Sequence, residues 1–98
     1  MELTNLLEIM VDILTLNYND SLTTISFVEK VKSYKIVSRI IIVDNNSSDD
    51  SYEILSNIVS DRIILLRSPR NGGYGAGNNY GIRYAQEHLK SKYVLLSN

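Results

Sequence analysis

The sequence predicts an α/β fold, in which helices cover both faces of a parallel β-sheet. Short apolar runs rich in β-branched residues alternate along the chain with segments whose apolar residues recur at helical spacing. The run Ile40–Val43 is apolar without interruption, which is typical of a strand buried on both faces. Polar or glycine-rich segments follow these apolar runs. This alternation of strand and helix favours parallel strands joined by right-handed helical crossovers.

Composition excludes several classes of protein. The 98 residues carry a formal net charge of −1, which gives no sign of a nucleic-acid partner. There is no cysteine, so disulfide frameworks and cysteine-based metal sites are excluded. No apolar run approaches the roughly 20 residues of a membrane span, so no membrane segment is expected. The lack of cysteine fits a reducing compartment, and we expect a cytoplasmic location.

The first ten residues differ from the rest of the chain. Leucines and Met10 recur at helical spacing in Met1–Met10 and favour a short amphipathic helix. The segment has no lysine or arginine, so it lacks the basic start of a secretory signal. We therefore expect residues 1–10 to be a lead-in and residues 11–98 to form the domain.

The first half of the domain contains two predicted strands and two predicted helices. Asp12–Asn17 is the first strand, and a helix capped by Asp20 or Ser21 follows it. Ser38–Asp44 is the second strand. Ser47 or Ser48 is expected to cap the second helix, with Asp49 and Asp50 in its first turn, where negative charge is favourable. The apolar residues that predict the two helices are Leu22, Ile25, Val28 and Val31 for the first, and Leu55, Ile58 and Val59 for the second.

A glycine-rich loop dominates the second half. The third strand, Arg62–Leu66, precedes the loop Ser68–Gly81, which holds all five glycines and the only proline. Glycines there allow positive φ angles and close approach of another group. A third helix over Ile82–Leu89 and a fourth strand over Tyr93–Leu96 complete the pattern. Free N–H groups where that helix begins, near Gly77, favour an anion such as phosphate.

Three segments resemble family-2 glycosyltransferases with the GT-A fold. The family's N-x-G-aromatic-small-small-G-N-N-x-G-I run resembles Asn71–Ile82. Its I-V-V-D-N-x-S-x-D segment is similar to Ile40–Ser51, and its first strand with a Y-N end is similar to Ile13–Asn19. The three segments occur in the family's order, and the resemblance covers the chain from about Val11 onward. The Gly-Asn-Asn-Tyr-Gly-Ile ending most resembles rhamnosyltransferase-like members.

The resemblance implies a Rossmann-like sheet of order 3-2-1-4. It also implies that residues 11–98 are the nucleotide-sugar-binding half of a GT-A domain, that is, a truncated GT-A domain. Ligands of such sheets bind outside the carboxyl ends of the strands, near the point where the strand order reverses. Periodicity alone places all three matching segments at those ends, so we expect them to converge on one site.

The resemblance also implies roles for individual residues. Asp44 would accept a hydrogen bond from the N3–H of uracil or thymine, and Tyr18 would stack on the base. Gly72 and Gly73 suit close approach of the ribose and diphosphate. The predicted nucleotide-sugar-binding set is Thr15, Asn17, Tyr18, Asp44, Asn45, Asn71, Gly72, Gly73, Gly77 and Asn78.

Structural alternatives exist for several of these residues. Asp44 also suits a turn or a helix cap, and Tyr18 can pack on the first helix. Gly77 and Gly81 can serve only to bring the third helix close to the sheet. The Asp49–Asp50 pair is interpreted as charge at a helix N-terminus rather than as a metal site.

Two other phosphate-binding motifs do not fit the loop. A dinucleotide fingerprint requires a third glycine at a position where this chain has Asn78 or Tyr80. That fingerprint also follows the first strand of its fold, whereas the loop here follows the third predicted strand. A P-loop requires a lysine, and the loop has none.

The family resemblance implies that the chain is the nucleotide-binding portion of an inverting glycosyltransferase, with a UDP- or dTDP-linked sugar as donor. In the family an acidic D-x-D metal motif follows the fourth strand, and a general base lies further on. We therefore expect a divalent cation, Mg²⁺ or Mn²⁺, only in the full-length enzyme. No catalytic or metal-ligating residue is assigned in this chain, which we expect to be inactive alone.

A second hypothesis is a non-catalytic GT-A-like interaction domain that assembles with a partner chain. Under either hypothesis the fourth strand is expected at the edge of the sheet, with its outer hydrogen-bonding groups unpaired. Such an edge predicts self-association into a homo-oligomer.

Overall fold

A computed structural model describes residues 10–97, which form a four-stranded parallel sheet with helices on both faces. The strands pair in the order β3-β2-β1-β4, so the predicted fold class and strand order are confirmed. Each strand lies within one residue of its predicted bounds. The elements are β1 (Val11–Asn17), α1 (Ser21–Val31), β2 (Val37–Asp44), α2 (Ser51–Leu55), β3 (Ile63–Arg67), α3 (Gly73–Tyr84) and β4 (Val94–Ser97).

The prediction of a helix over the first ten residues falls on residues 1–9, outside the described part of the chain, and on Met10, which has no assigned helix or strand. Within residues 10–97 no helix is both long and apolar enough to cross a membrane.

Two apolar clusters lie on opposite faces of the sheet, because successive strand residues point to opposite sides. Ile40 and Ile42 pack with α1 and α2 on one face, where Val28 and Leu55 complete the cluster. Ile41 and Val43 face α3 on the other side. The cluster there also contains Leu14, Ala85, Ile82 and Leu89. The four consecutive apolar residues Ile40–Val43 of β2 are fully buried, as their unbroken apolar run predicts.

The second helix begins later than the sequence predicts. Asp50 occupies the N-cap position of α2 and makes no side-chain capping bond. Ser47 does not cap the helix, because its hydroxyl donates to Asp44 instead. The helix has only five residues and continues as a 3₁₀ turn, Ser56–Ile58. The predicted cap at Ser47 or Ser48 is therefore wrong.

The third helix begins earlier than predicted, at Gly73 rather than near Gly77. Glycine has low helix propensity, but packing against the sheet offsets that cost here. Gly77 and Gly81 are the buried residues of α3, and they face β1 and β2. A Cβ at Gly77 would lie 3.0 Å from Leu16 Cδ2. A Cβ at Gly81 would overlap Leu14 Cδ1 and lie 2.9 Å from Val43 Cγ2.

A partly buried ion pair fixes the far end of this helix. After Tyr84 the helix continues as a π-helical turn, Ala85–Leu89. Arg39 Nη2 donates to the Leu89 carbonyl (3.3 Å) and to Asp12 Oδ2 (3.0 Å), and Arg39 Nε donates to Asp12 Oδ1 (3.2 Å). The Ser91 hydroxyl also donates to Asp12. These bonds tie the end of the helical segment to the amino ends of β1 and β2.

The outer side of β4 has no strand partner among residues 10–97. Leu95 and Leu96 of this strand are exposed. The predicted unpaired edge is therefore present in the described part of the chain, and self-association through it stays a prediction.

Replacing Gly81 with valine should destabilise the fold. The new side chain would be forced into Leu14 and Val43, and overpacking of this kind costs about 1–3 kcal/mol. Gly75→Val is the matched control, because no atom lies within 4 Å of a Cβ at that position of the same helix. Urea unfolding should show a lower free energy of unfolding for Gly81→Val and a change within about 0.5 kcal/mol for Gly75→Val. Equal losses in both variants would contradict close packing at Gly81.

Candidate active site

A row of polar side chains crosses the carboxyl edge of the sheet. The strand register sets Asn17 of β1 opposite Asp44 of β2, and Asp44 opposite Arg67 of β3. Asn17 Nδ2 donates to Asp44 Oδ1 at 2.9 Å, and Arg67 Nε lies 3.8 Å from Asp44 Oδ2. The three strand ends are thus joined by side chains as well as by the backbone ladder.

Asp44 is fully buried and its carboxylate is bonded within the chain. Besides Asn17, the Ser47 hydroxyl donates to Oδ1 at 2.6 Å and the Ser47 N–H donates to Oδ2 at 3.0 Å. A buried carboxylate requires such partners, because desolvation without them is very costly. The geometry therefore supports the structural alternative for Asp44, in which it fixes the loop after β2, and not the predicted contact with a nucleobase.

Asn19 connects the loops that follow β1 and β2. Its side chain donates to the Ser48 hydroxyl (3.0 Å) and accepts from the N–H groups of Ser48 (2.9 Å) and Asp49 (3.2 Å), while its own N–H donates to the Ser47 hydroxyl. Its φ is 52°, in the left-handed region that asparagine tolerates better than most residues. The sequence analysis missed this residue, although an asparagine just after a strand is a recognisable turn signal.

Above this network lies a cleft with a volume of about 260 Å³. A second cleft of about 200 Å³ shares three of its lining residues, namely Tyr18, Asn45 and Tyr74. Tyr18 and Tyr74 are 47% and 69% exposed, so their rings are available to a ligand. The first cleft is completed by Leu16, Asn17, Asp20, Thr23 and Thr24, and the second by Asn71 and Gly73.

Asn45 joins the end of β2 to the start of α3. Its Nδ2 donates to the Asn71 side-chain oxygen and to the Gly73 carbonyl, both at 3.2 Å. Because the Gly73 carbonyl can only accept, this bond fixes which end of the Asn45 amide faces the helix. The residue is 4% exposed, and its Oδ1 has no hydrogen-bond partner among the described residues. A buried oxygen without a donor is unusual and requires a partner such as a bound water or a ligand group.

The N-terminus of α3 borders the second cleft. Gly72 is the N-cap residue and provides no side-chain cap, so only Asn71 Oδ1, which accepts from the Gly73 N–H at 3.2 Å, fills that role. Gly73 has a φ of 84°, a conformation that side chains oppose. The following N–H groups of the first turn have no carbonyl partner within the helix. They form the positive end of the helix dipole.

The structure thus brings together part of the predicted set at the clefts. Thr15 is buried inside β1 and is not among the residues lining either cleft. Gly77 and Asn78 lie in the second turn of α3, so their predicted place at the helix start is wrong. The residues that line a cleft or its helix end are Asn17, Tyr18, Asn45, Asn71, Gly72 and Gly73. The sequence analysis missed Tyr74, because it expected that residue in a loop rather than in the first turn of a helix.

The carboxylates near the site do not fit a resident metal ion. Among residues 10–97 no group of three or more histidine, cysteine, aspartate or glutamate side chains is placed to hold one. Asp49 Oδ1 accepts from the Ser51 N–H (2.9 Å) just before α2, which agrees with its interpretation as charge near a helix N-terminus. The expected Mg²⁺ or Mn²⁺ ion of a full-length enzyme remains a prediction.

Replacing Asp44 with asparagine should destabilise the carboxyl edge. The new amide would point an N–H group at the donors that now bond the carboxylate, and a lost hydrogen bond to a charged group costs about 1.5–3 kcal/mol. Asp50→Asn is the control, since Asp50 is exposed and makes no capping bond. Chemical unfolding should show this loss for Asp44→Asn alone. A loss as large for Asp50→Asn would contradict the assignment.

Comparisons with known proteins agree with this architecture. The model of the family "Glycosyl transferase family 2" matches residues 12–97. The chain is also similar to the low-salt glycan biosynthesis hexosyltransferase Agl10 of Haloferax volcanii, with 39% identity over 62 residues. That match covers 63% of this chain and 19% of the relative, so the chain spans a small part of the relative's length. Because the family model covers nearly all of the described fold, the chain belongs to glycosyltransferase family 2.

Proposed function

We propose that the chain is the nucleotide-recognition part of an inverting glycosyltransferase, and that its two clefts hold the nucleotide of a UDP- or dTDP-linked sugar. The observation that carries this proposal is that Tyr18 and Tyr74, two exposed aromatic rings, line the same clefts at the carboxyl edge of the sheet. Ligands of parallel α/β sheets bind at that edge. The similarity to a hexosyltransferase supports a hexose as the transferred sugar.

The nucleobase is assigned to the first cleft, the one of about 260 Å³, which Tyr18 lines. An aromatic ring that is half exposed at a concave surface offers a stacking face, and base–aromatic stacking contributes about 1–3 kcal/mol. We transfer the polar contact with the base from Asp44 to Asn45, because Asn45 lines both clefts, whereas the Asp44 carboxylate is buried, is bonded within the chain and lines neither cleft.

The diphosphate is assigned to the N-terminus of α3. The first-turn N–H groups after Gly73 and the positive end of the helix dipole favour an anion. Gly73 and Gly75 have no atom within 4 Å of the position of a Cβ, so the backbone there is open to close approach. Asn71, which bonds both Asn45 and Gly73, would hold the base and phosphate regions of the site in fixed relation.

Each of the two clefts, with about 260 Å³ and about 200 Å³, is smaller than the roughly 300–1,000 Å³ of a complete small-molecule site, so both are needed to hold the nucleotide. We therefore assign only the nucleotide to this chain and leave the acceptor, the general base and the divalent cation to the full-length enzyme. We also propose that the enzyme is located in the cytoplasm.

Titration with nucleotides tests the base site directly. We expect UDP and dTDP to bind and GDP to bind more weakly, because a one-ring base suits the small cleft better than a purine. Tyr18→Ala should weaken UDP binding about 5- to 150-fold, the range that corresponds to the loss of one stacking contact. Isothermal titration calorimetry, with and without Mn²⁺, provides the measurement.

Tyr34→Ala is the matched control, because Tyr34 is also 47% exposed but lies in the loop before β2, at the opposite edge of the sheet. Binding equal to that of the unmodified chain is expected for this variant. If both variants lose affinity equally, or if no nucleotide binds at millimolar concentration, the proposal is wrong. In that case the interaction-domain hypothesis becomes the better one.

A negative charge placed on the first turn of α3 tests the diphosphate site. Gly75 is exposed and has open space around it, so Gly75→Glu should fold. The carboxylate should stabilise the helix by about 0.3–1 kcal/mol, because it lies near the positive end of the dipole. It should weaken UDP binding by repulsion and leave uridine binding unchanged.

Gly75→Gln, which has the same length without the charge, separates repulsion from obstruction. The assignment predicts that the difference in binding affinity between UDP and uridine becomes smaller only in Gly75→Glu. An unchanged ratio of UDP to uridine affinity in Gly75→Glu would place the diphosphate elsewhere.

A further inference from the structure

Positive charge is concentrated at the amino edge of the sheet, opposite the clefts described above. Two adjoining grooves there share Met10, Ser38 and Arg39. Six of the 10 lysine and arginine residues of the chain line them, and we call this surface the basic face. Its members are Lys32, Lys35, Arg39, Arg62, Lys90 and Lys92. Asp12 is the single carboxylate that lines either groove.

The fold accounts for only part of this charge. Arg39 is neutralised by Asp12, and Lys32 pairs with Glu29 at 2.9 Å. Arg62 donates to the backbone carbonyls of Lys32, Val37 and Ser38, which carry no net charge. Within residues 10–97 no carboxylate lies at ion-pair distance from the remaining members of the basic face, Lys35, Lys90 and Lys92, or from Arg62.

Helix dipoles favour cations at two of the six positions. Lys32 is the C-cap residue of α1 and Lys90 follows the π-helical turn, and cations are favourable at helix C-termini. Lys35 and Lys92 lie further along the loops that enter β2 and β4. Arg62 lies immediately before β3. Neither the dipoles nor the ion pairs require cations at these three positions.

Exposed apolar side chains lie among these cations. Tyr34 is 47% exposed, Ile36 is 56% exposed and Tyr93 is 54% exposed. All three lie in the loops that supply the cations, and Met10 joins them at the shared part of the grooves. Cations interspersed with aromatic and aliphatic side chains are characteristic of surfaces that bind the interface of an anionic membrane.

We infer that the basic face binds an anionic lipid surface. The lysines would contact the headgroups and the exposed Tyr34, Ile36 and Tyr93 would reach the boundary with the acyl chains. An anionic lipid surface fits better than a nucleic acid, because Ile36 and Met10 are aliphatic and offer no stacking face for a base. The clefts at the opposite edge would then face away from the membrane and remain open to soluble nucleotides.

Vesicle binding tests this inference independently of nucleotide binding. The chain should sediment with vesicles of equal parts phosphatidylglycerol and phosphatidylcholine, and not with phosphatidylcholine alone. Bound protein should fall as salt concentration rises, because surface electrostatics are screened. Each cation removed should weaken partition about fivefold, so Lys35→Gln with Lys92→Gln should weaken it about 25-fold.

Arg70→Gln with Arg83→Gln is the matched control, since it removes the same charge from exposed residues outside the basic face. This variant should bind vesicles as the unmodified chain does. Far-ultraviolet circular dichroism of both variants checks that they fold. Equal losses in the two double variants, equal binding to phosphatidylcholine alone, or tighter binding to a single-stranded RNA than to the anionic vesicles would overturn the inference.

Discussion

The buried carboxylate of Asp44 is the constraint on which the site depends. It accepts from Asn17 and twice from Ser47, so one charge holds the ends of β1 and β2 and the loop that follows. The two residues that line both clefts from these strands come directly after members of this network: Tyr18 after Asn17, and Asn45 after Asp44. Because the network fixes the backbone at Asn17 and Asp44, the neighbouring side chains start from defined positions. Pre-organisation of this kind reduces the entropy that a ligand would have to overcome.

The two-residue period of a strand explains why Asn45 lines the clefts and Asp44 does not. Ile42 and Asp44 point to the face covered by α1 and α2, and Thr24 of α1 completes the network there through its bond to Asn17. Asn45 points to the other face, where it meets Gly73 and Gly77 of α3. The glycine-rich segment lies on that second face, so a residue that contacts the segment and lines the clefts has to be one position further along the chain.

Particular residues show how much of the structure can be predicted from the sequence. The strands were predictable within one residue, because unbroken β-branched runs such as Ile40–Val43 are governed by burial and have few alternatives. The start of α3 was not predictable, because local propensity opposes a helix through Gly73, Gly75 and Gly77. Only the packing of the helix against Leu16 and Leu14 offsets that low propensity. The convergence of the motif segments at the carboxyl edge was also predictable, since the ends of neighbouring parallel strands meet there. Which of two adjacent polar residues lines the clefts was not predictable, although the end of β2 at Asp44 was, because it depends on which face of the sheet the glycine-rich segment packs against.

The same topology gives the two edges of the sheet opposite electrostatic character. Each crossover helix of a parallel sheet starts at the carboxyl edge and ends at the amino edge, so the positive ends of α1 and α3 lie beside the clefts. Their negative ends lie beside Lys32 and Lys90. The side-chain charges have the opposite distribution. Asp20 and Asp50 occupy N-cap positions at the carboxyl edge, and the basic face lies at the amino edge. A diphosphate approaching the clefts therefore finds few cationic side chains. Under the proposed function, its attraction would come from backbone N–H groups at the N-terminus of α3, where Gly72 occupies the N-cap position that aspartates hold in α1 and α2.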